Sequence, residues 1–356
     1  MSHVVYLLGA GFSAPLGLPV MRDFLIKSKD MFAIHPRQYA SFRNIFALIN
    51  QMGSIQSYYQ ADLFNIEEIL SILEMDQQIA GRRSRRFARF IADVVSFHTP
   101  PDPIADVARF TANWRERPMT ENMEWLPYFY FAASLLRIRM RQQQSPGSST
   151  FPVNPDNSNT VVYSIVTLNY DLVFEKLSQY LTSCFPHDGR LEFALRSAPI
   201  NATDHHLVPL AKLHGSVDCD NIIAPTWNKA IARKILKVWT AAHKLLSSAN
   251  EIRIIGYSLP VADAYIKYLL KSAVVKSPHL KRIDIICRDG DGLTRTRYRD
   301  FISFKYARFT DADISEYLEL IKGETATRGR MGDGSLVFNQ LEPAHSEFFS
   351  SNGEAL

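Results

Sequence analysis

The chain contains few cysteines: its 356 residues include only Cys184, Cys219 and Cys287. None of them shows C-x-x-C spacing, so neither a disulfide framework nor a four-cysteine zinc site is available. No apolar run reaches the roughly 18 uncharged residues of a membrane span. The apolar start at 4–10 continues into a glycine motif rather than a cleavage site. We therefore expect a cytoplasmic protein that has no structural metal and does not cross a membrane.

An excess of positive charge is also nearly absent, because the formal net charge is +4. A field this weak does not indicate a nucleic-acid-binding protein. Two segments are locally basic, 82-RRSRRFARF-90 and 137-RIRMR-141. On one helix face Arg82, Arg85, Arg86 and Arg89 could meet nucleic acid or an acidic partner. A solvated face paired with nearby acids is the interpretation we favour, so nucleic acid is expected only indirectly, through a partner.

What the chain does contain is an alternation of strand and helix patterns. A short apolar strand at 4–8 leads towards a helix from about Met21, and helical spacing dominates from there to about residue 142. After residue 160, strand patterns at 161–167, 207–213, 222–224, 252–255 and 283–287 alternate with helical ones at 229–249 and 262–275. This alternation predicts a Rossmann-like parallel sheet with helices on both faces, plus a large all-helical insertion.

The predicted domain organisation follows from these changes in pattern. We assign 1–28 and 160–322 to the α/β domain and 29–142 to the helical insertion. The segment 143–159 is rich in Gln, Ser, Pro and Asn, which predicts an exposed loop. The segment 323–356 has Gly, Ser and Thr with scattered charges, which predicts a flexible tail or an arm that docks an oligomer or partner.

Two short segments carry polar or glycine residues directly after predicted buried strands. In 9-GAGFS-13, two glycines let the backbone turn tightly and approach a pyrophosphate. Glycines used for turn geometry alone are an equally good interpretation of this segment. In 161-VVYSIVTLNYDLVFEKL-177, the strand ends on Thr167, Asn169 and Asp171. Ligands of open α/β sheets bind outside the carboxyl ends of the strands, where both segments fall.

Four motifs together resemble those of the sirtuin superfamily. The first is 9-GAGFSAPLGLPVMR-22, with its Gly-Ala-Gly-x-Ser loop followed by Gly17, Leu18, Pro19 and Arg22. The others are the Thr-x-Asn-x-Asp of 167–171, 213-LHGS-216 and 256-GYSL-259, in the family's order. The resemblance implies that NAD+ binds at these motifs.

The resemblance also implies roles for individual residues. Asn169 and His214 are the expected catalytic pair, and Asp171 is the third expected catalytic residue. Asn169 can donate to and accept from a ribose hydroxyl or water, and a histidine can act as a general base near neutral pH. The remaining expected NAD+ contacts are Gly9, Ala10, Gly11, Phe12, Ser13, Leu18, Pro19, Met21, Arg22, Thr167, Gly256, Tyr257, Ser258 and Asp263.

Simpler interpretations exist for three of these side chains. Asp171 could bind the nicotinamide amide, or cap the helix that follows it, or do both. Asp263 could contact adenosine or serve as a helix cap or first-turn acid. His214, taken without its neighbours, would be a satisfied structural histidine.

The sequence departs from protein-deacylating sirtuins in ways that put acyl-lysine chemistry in doubt. Their zinc ribbon is missing, because the interval after the His-Gly motif contains only Cys219. The usual Asp-Phe pair is Val20-Met21, and Leu168 replaces a Gln. With the helical insertion and 256-GYSLPVAD-263, the chain is similar to sirtuin-like NAD+ hydrolases of bacterial anti-phage systems.

That branch implies hydrolysis of NAD+ to nicotinamide and ADP-ribose, which depletes NAD+ in abortive infection. It also implies a homo-oligomer controlled by a separate protein such as a hexameric ATPase/helicase. Two alternatives stay open: an NAD-dependent deacylase or ADP-ribosyltransferase, and a non-catalytic sensor of NAD+ or ADP-ribose. No metal is expected.

Overall fold

The computed structural model describes residues 2–59, 63, 65, 66, 68, 69, 72, 84–103, 122–145, 148–156, 158, 160–187, 191–196, 207–218, 222, 233–261, 263–275 and 277–356. Its strands are β1 (Ser2–Leu8), β2 (Ile138–Arg141), β3 (Gln143–Ser145), β4 (Ser148–Thr150), β5 (Val153–Pro155), β6 (Val161–Thr167), β7 (Glu192–Ala194), β8 (Leu207–Lys212), β9 (Glu251–Ile255), β10 (Arg282–Ile286), β11 (Ala307–Thr310), β12 (Ser335–Val337) and β13 (Glu354–Ala355). Its α-helices are α1 (Ala10–Ser13), α2 (Phe24–Ile34), α3 (Phe42–Met52), α4 (Ser84–His98), α5 (Leu126–Leu135), α6 (Val173–Cys184), α7 (Arg233–Ser247), α8 (Ala264–Val274), α9 (Leu293–Phe301), α10 (Ile314–Arg328) and α11 (Leu341–Asn352).

Eight of the described strands form the central sheet, in the order β13-β11-β10-β9-β1-β6-β8-β7. Neighbouring strands are parallel throughout, except that the short β13 runs antiparallel to β11. The chain adds β6, β7 and β8 on one side of β1 and then returns to place β9 on the other side. The order of strand addition therefore reverses at β1, the position where open α/β sheets bind their ligands.

Both faces of the sheet are covered, because side chains of β1 point alternately into two cores. Val4, Tyr6 and Leu8 belong to a core shared with α2–α6, α10 and α11. Val5 and Leu7 belong to a second core shared with α7–α9. The predicted Rossmann-like parallel sheet with helices on both faces is confirmed.

The predicted helical region contains α2–α5, which pack through aromatic rings. The rings of Phe42 and Phe90, for example, meet edge to face with centroids 4.7 Å apart. The region is not purely helical at its end, because β2 forms a three-stranded antiparallel sheet with β5 and β12. Arg137, within the second basic segment, is buried at the start of this strand. Arg82 and the acids expected to pair with it mostly lie outside the described residues.

The prediction of an exposed loop at 143–159 is wrong. β3 pairs antiparallel with β4, β5 pairs with β2, and the side chains of Phe151 and Val153 are fully buried. The polar composition of this segment concealed two apolar residues that fill the first core. The predicted strand at 222–224 lies mostly outside the described residues.

For the segment 323–356 the flexible alternative is also wrong, whereas docking of an oligomer or partner stays a prediction. α10 extends to Arg328, β12 pairs with β2, α11 packs on the first core and β13 pairs with β11. Leu336, Phe338 and Leu341 are fully buried. None of the described helices is long and apolar enough to cross a membrane.

Candidate active site

The four motifs meet at the carboxyl edge of the sheet. The turn at Gly9 follows β1, the turn at Asn169 follows β6, the turn at His214 follows β8 and the turn at Gly256 follows β9. Because these strands are parallel neighbours around β1, their ends lie side by side at the reversal of strand order. We use the name carboxyl edge for these four turns.

The glycines of the first and fourth turns hold the two turns in backbone contact. Gly9 N donates to Ile255 O at 2.9 Å, and Gly11 N donates to Gly256 O at 2.9 Å. A Cβ on Gly9 would lie 2.6 Å from Gly256 O, and one on Gly11 would lie 2.8 Å from Gly256 Cα. A Cβ on Gly256, whose φ is +65°, would lie 2.3 Å from Phe12 N. All three glycines are therefore required by the contact between the turns, whether or not a phosphate binds there.

Asn169 connects the second turn to the first. Its side chain is buried, and Nδ2 donates to Gly9 O at 3.0 Å and to Ser13 Oγ at 3.1 Å. A main-chain carbonyl oxygen can only accept, so the atom facing Gly9 must be the amide nitrogen, which fixes the orientation of the side chain. The amide oxygen Oδ1 accepts no hydrogen bond within the described part of the chain and remains available to a ligand.

The two other polar residues of this turn have structural partners. Thr167 Oγ1 accepts from Asn169 N at 3.0 Å and donates to Leu8 O at 3.4 Å. Asp171 is buried, and its Oδ1 accepts from Val173 N at 3.2 Å, at the start of α6. Asp171 therefore supports the amino end of α6, as the capping interpretation expects, and its role towards nicotinamide stays a prediction.

His214 lies in the third turn with no solvent exposure. Its ring centroid is 5.8 Å from that of Tyr170. Gly215, with a φ of +83°, reverses the chain directly after it. Two backbone bonds join this turn to the second: Leu213 N donates to Thr167 O at 2.9 Å, and Val217 N donates to Tyr170 O at 3.0 Å. His214 and Asn169 thus stand on two turns that are bonded to each other.

Asp263 is held by the fourth turn rather than by the helix it precedes. Its carboxylate accepts from Tyr257 Oη at 2.6 Å, and the carbonyl of Tyr257 accepts from Tyr298 Oη at 2.6 Å. Its side chain makes no capping bond to the described residues of α8. The capping interpretation of Asp263 is therefore not supported. Burial raises the pKa of Tyr298 well above its ordinary value, so this phenol stays protonated and donates.

The remaining predicted contacts fall into two environments. The side chain of Phe12 lies in the first core, stacked on Phe174 at 5.6 Å, and its carbonyl accepts from Tyr128 Oη at 2.5 Å. Any contact of Phe12 with a ligand would therefore be through its backbone. Of the others, Leu18 and Pro19 are buried, Ala10, Met21 and Ser258 are partly buried, and Arg22 is exposed.

A charged cluster missed by the sequence analysis lies beside the second and third turns. Lys212 Nζ donates to Glu175 Oε1 at 3.0 Å, to Ser216 Oγ at 2.9 Å and to the carbonyl of Asp171. The available signal was a lysine directly before the Leu-His-Gly motif and an acid four residues after Asp171. No group of three His, Cys, Asp or Glu residues in the described ranges could hold a metal ion.

The chain is similar in structure to two solved Sir2 structures. No protein-family model and no curated protein matches the chain. One similar solved structure is a histidine-to-alanine variant of Sir2 with deacetylated p53 peptide and 3'-O-acetyl-ADP-ribose, at 13% identity over 91% of this chain and 93% of that chain, with a TM-score of 0.36. Another is Sir2 with the inhibitor EX-527, 2'-O-acetyl-ADP-ribose and deacetylated p53 peptide, at 13% identity over 90% of this chain and 93% of that one, with a TM-score of 0.30. Likeness at this level does not assign an activity.

Proposed function

We propose that the chain is an NAD+ glycohydrolase that cleaves NAD+ to nicotinamide and ADP-ribose. The observation that supports this most directly is the arrangement of Asn169. Its amide nitrogen is held by Gly9 and Ser13, so its free oxygen Oδ1 is fixed at the reversal of strand order. A fixed acceptor on a turn that is bonded to the turn of a histidine suits the binding of a ribose hydroxyl or an attacking water.

The proposed reaction breaks the bond between the nicotinamide nitrogen and the ribose C1' and forms a bond from C1' to a water oxygen. The bonding electron pair leaves with nicotinamide, and the proton lost by water passes to a base. In this mechanism Asn169 Oδ1 orients the water or a ribose hydroxyl, and His214 accepts the proton. Burial of both residues would exclude bulk water and strengthen the interactions that stabilise the oxocarbenium-like charge.

The proposed biological role is antiviral defence by depletion of NAD+, through a homo-oligomer and a separate regulatory protein. This part of the proposal depends on the resemblance of the four motifs. It predicts that NAD+ falls in infected cells expressing the protein and its partner, and that cells expressing Asn169→Ala keep their NAD+.

The decisive experiment follows nicotinamide and ADP-ribose by chromatography when purified protein is incubated with NAD+. Asn169→Ala and His214→Ala should abolish turnover while the parent retains it. Asn250→Ala is a matched control: Asn250 lies at the amino end of β9, where its amide also bonds backbone groups, accepting from His3 N at 2.8 Å and donating to His279 O at 3.3 Å. This variant should keep the parental rate.

Other outcomes of the same experiment would reject the proposal. NAD+ binding without turnover, with each candidate regulatory protein added in turn, would favour a sensor. Turnover that requires an acetyl-lysine peptide and yields O-acetyl-ADP-ribose would indicate a deacylase. Absence of NAD+ binding would remove the site assignment altogether.

A further inference from the structure

Lys212 lies where the second and third turns of the carboxyl edge approach each other. It is the last residue of β8, and its ammonium reaches back to the carbonyl of Asp171 and forward to Ser216 Oγ at 2.9 Å. Its third contact is Glu175 Oε1 on α6, at 3.0 Å. An ammonium group has three donors, and here each donor has its own acceptor.

The surroundings make these contacts stronger than those of a surface ion pair. The side chain of Lys212 is 12% exposed, and that of Glu175 is 35% exposed. Burial raises the pKa of Glu175 above its ordinary value, and the neighbouring Lys212 opposes that change. Charge-assisted hydrogen bonds in such partly desolvated positions are stronger than bonds between neutral groups.

The two turns are also joined by other contacts. The backbone bonds from Leu213 N to Thr167 O and from Val217 N to Tyr170 O lie on either side of His214, and the ring centroids of Tyr170 and His214 are 5.8 Å apart. The contacts of Lys212 with the Asp171 carbonyl and with Ser216 lie beside these two backbone bonds. Removing the ammonium would break the link between Asp171 and Ser216 and so loosen the turn that carries the buried His214.

We propose that Lys212 is a positioning residue that fixes the His214 turn against the Asn169 turn, and that Glu175 holds its ammonium in place. The catalytic consequence rests on the proposed NAD+ hydrolysis, whereas the positioning itself does not. Lys212 acts through His214 and is assigned no contact with substrate.

Helix α6, which carries Glu175, also offers a matched control. Lys176 also binds a carboxylate and a backbone carbonyl, those of Asp102 and Pro100, but neither partner belongs to the Asn169 turn or to the His214 turn. Lys176→Met and Lys212→Met therefore remove the same chemical group from neighbouring parts of the structure. Only the second should affect the His214 turn.

The first measurement is hydrogen exchange followed by mass spectrometry, which needs no activity. Lys212→Met should raise the exchange rate of the peptide covering 207–218 by about tenfold or more, because its bridging amides, Leu213 N and Val217 N, open locally, and should also raise exchange in 166–175 as the turn that accepts those bonds loosens. Ser216→Ala, a milder change in case Lys212→Met does not fold, should raise exchange in 207–218 alone. Unchanged exchange in these peptides of Lys212→Met would overturn the inference. An equal rise across the whole chain, seen in Lys176→Met as well, would also overturn it.

The second measurement is NAD+ turnover at a temperature well below the unfolding midpoint of each variant. A misplaced catalytic group reduces rate more than binding, so kcat of Lys212→Met should fall about 100-fold while KM changes little. Glu175→Gln should show a smaller fall of the same kind. A parent without turnover would contradict the proposed function and leave the exchange result to decide the positioning role. Hydrogen exchange could show that the turns open in Lys212→Met while its kcat equals that of an active parent. That result would overturn the catalytic consequence.

Discussion

Polar groups are buried in two regions of the sheet, and they are satisfied in different ways. At the carboxyl edge, Asn169 and Thr167 bond mostly to backbone atoms of adjacent turns. Beneath α11, charged groups bond mostly to one another: Arg253 bonds Glu342, and Asp284 bonds Arg308 as well as the neutral ring of His345. The second region bonds mostly within itself and joins the sheet to α11. The first retains an uncommitted acceptor, as a binding site requires.

The ionic region beneath α11 is extensively connected. Arg253, 1% exposed, donates to Tyr6 Oη at 2.8 Å, to both Glu342 oxygens at 2.9 and 2.5 Å, and to Glu251 Oε2 at 3.1 Å. Burial alone would raise the pKa of Asp284, but hydrogen bonds from Arg308 and His345 outweigh it and lower the pKa to about 2. This region therefore behaves as part of the folded core and explains why the predicted tail is ordered.

The largest expected effect comes from breaking the ionic region. Arg253→Met leaves the Glu342 carboxylate without its cationic partner, with the neutral Tyr163 hydroxyl still donating to it, and should lower the free energy of unfolding by about 4 kcal/mol, the scale for an uncompensated buried charge. Urea denaturation would measure it. Arg253→Met combined with Glu342→Leu should recover much of the loss, because no orphaned charge remains. A double variant that is less stable than the single one would show that the unpaired Glu342 carboxylate is not the cause of the loss.

The next effect tests the backbone contacts of the carboxyl edge. Gly256→Ala should lower the free energy of unfolding by about 3 kcal/mol, because it combines an unfavourable φ with a Cβ overlapping Phe12 N. Gly290→Ala is the control: its Cβ would meet no heavy atom within 4 Å, so stability should change by less than about 0.5 kcal/mol. Equal stability of the two variants would contradict the close packing of the turns.

The smallest expected effect is the dependence of stability on pH, which arises from two buried histidines. Burial lowers the pKa of His3 to about 4. Burial and the charge of Arg253 lower the pKa of His345, also to about 4. Both stay neutral when folded and gain a proton near pH 6.5 when unfolded, so the stability they provide is present above pH 6.5 and lost as pH falls towards 4. When the pH falls from 7.5 to 5.5, each histidine should lower the free energy of unfolding by about 1 kcal/mol. The raised pKa of Glu175 acts in the opposite direction.

The contribution of one histidine can be isolated by comparing variants. Urea denaturation at pH 7.5 and 5.5 should show a smaller acid loss for His3→Gln than for the parent. His279→Gln, at a histidine near the chain surface, should keep the parental pH dependence. Equal pH dependence in all three proteins would show that His3 is not held neutral in the folded state.

Much of the architecture could be predicted from the sequence, because buried parallel strands are continuous apolar runs and the motifs follow them directly. The placement of Asn169, His214 and Gly256 at one edge follows from that order alone. What failed was the inference from composition. Phe151 and Val153 are a small apolar minority in a polar segment, and the tail is held by Glu342 and His345, whose partners lie far away in sequence. Long-range pairing of this kind leaves no local pattern.

The positions of the motif residues at one edge could be predicted, whereas their contacts could not. The glycines had two interpretations, approach to a pyrophosphate and turn geometry alone; the structure shows them in the backbone contact between two turns, and pyrophosphate binding stays a prediction. Lys212 was missed because a single lysine at a strand end has no distinctive spacing. Side-chain networks across turns depend on three-dimensional proximity, which one sequence does not contain.

The contact among Gly9, Gly11 and Gly256 affects how genetic data on this protein should be interpreted. An alanine scan of the first motif would show loss of function at Gly9 and Gly11 even if neither residue ever approached a ligand. A selection for function would likewise keep all three positions as glycine as a single unit. If all three positions stayed glycine in a mutant library, this would show that the two turns pack closely. Contact with a ligand would have to be established at Asn169 instead.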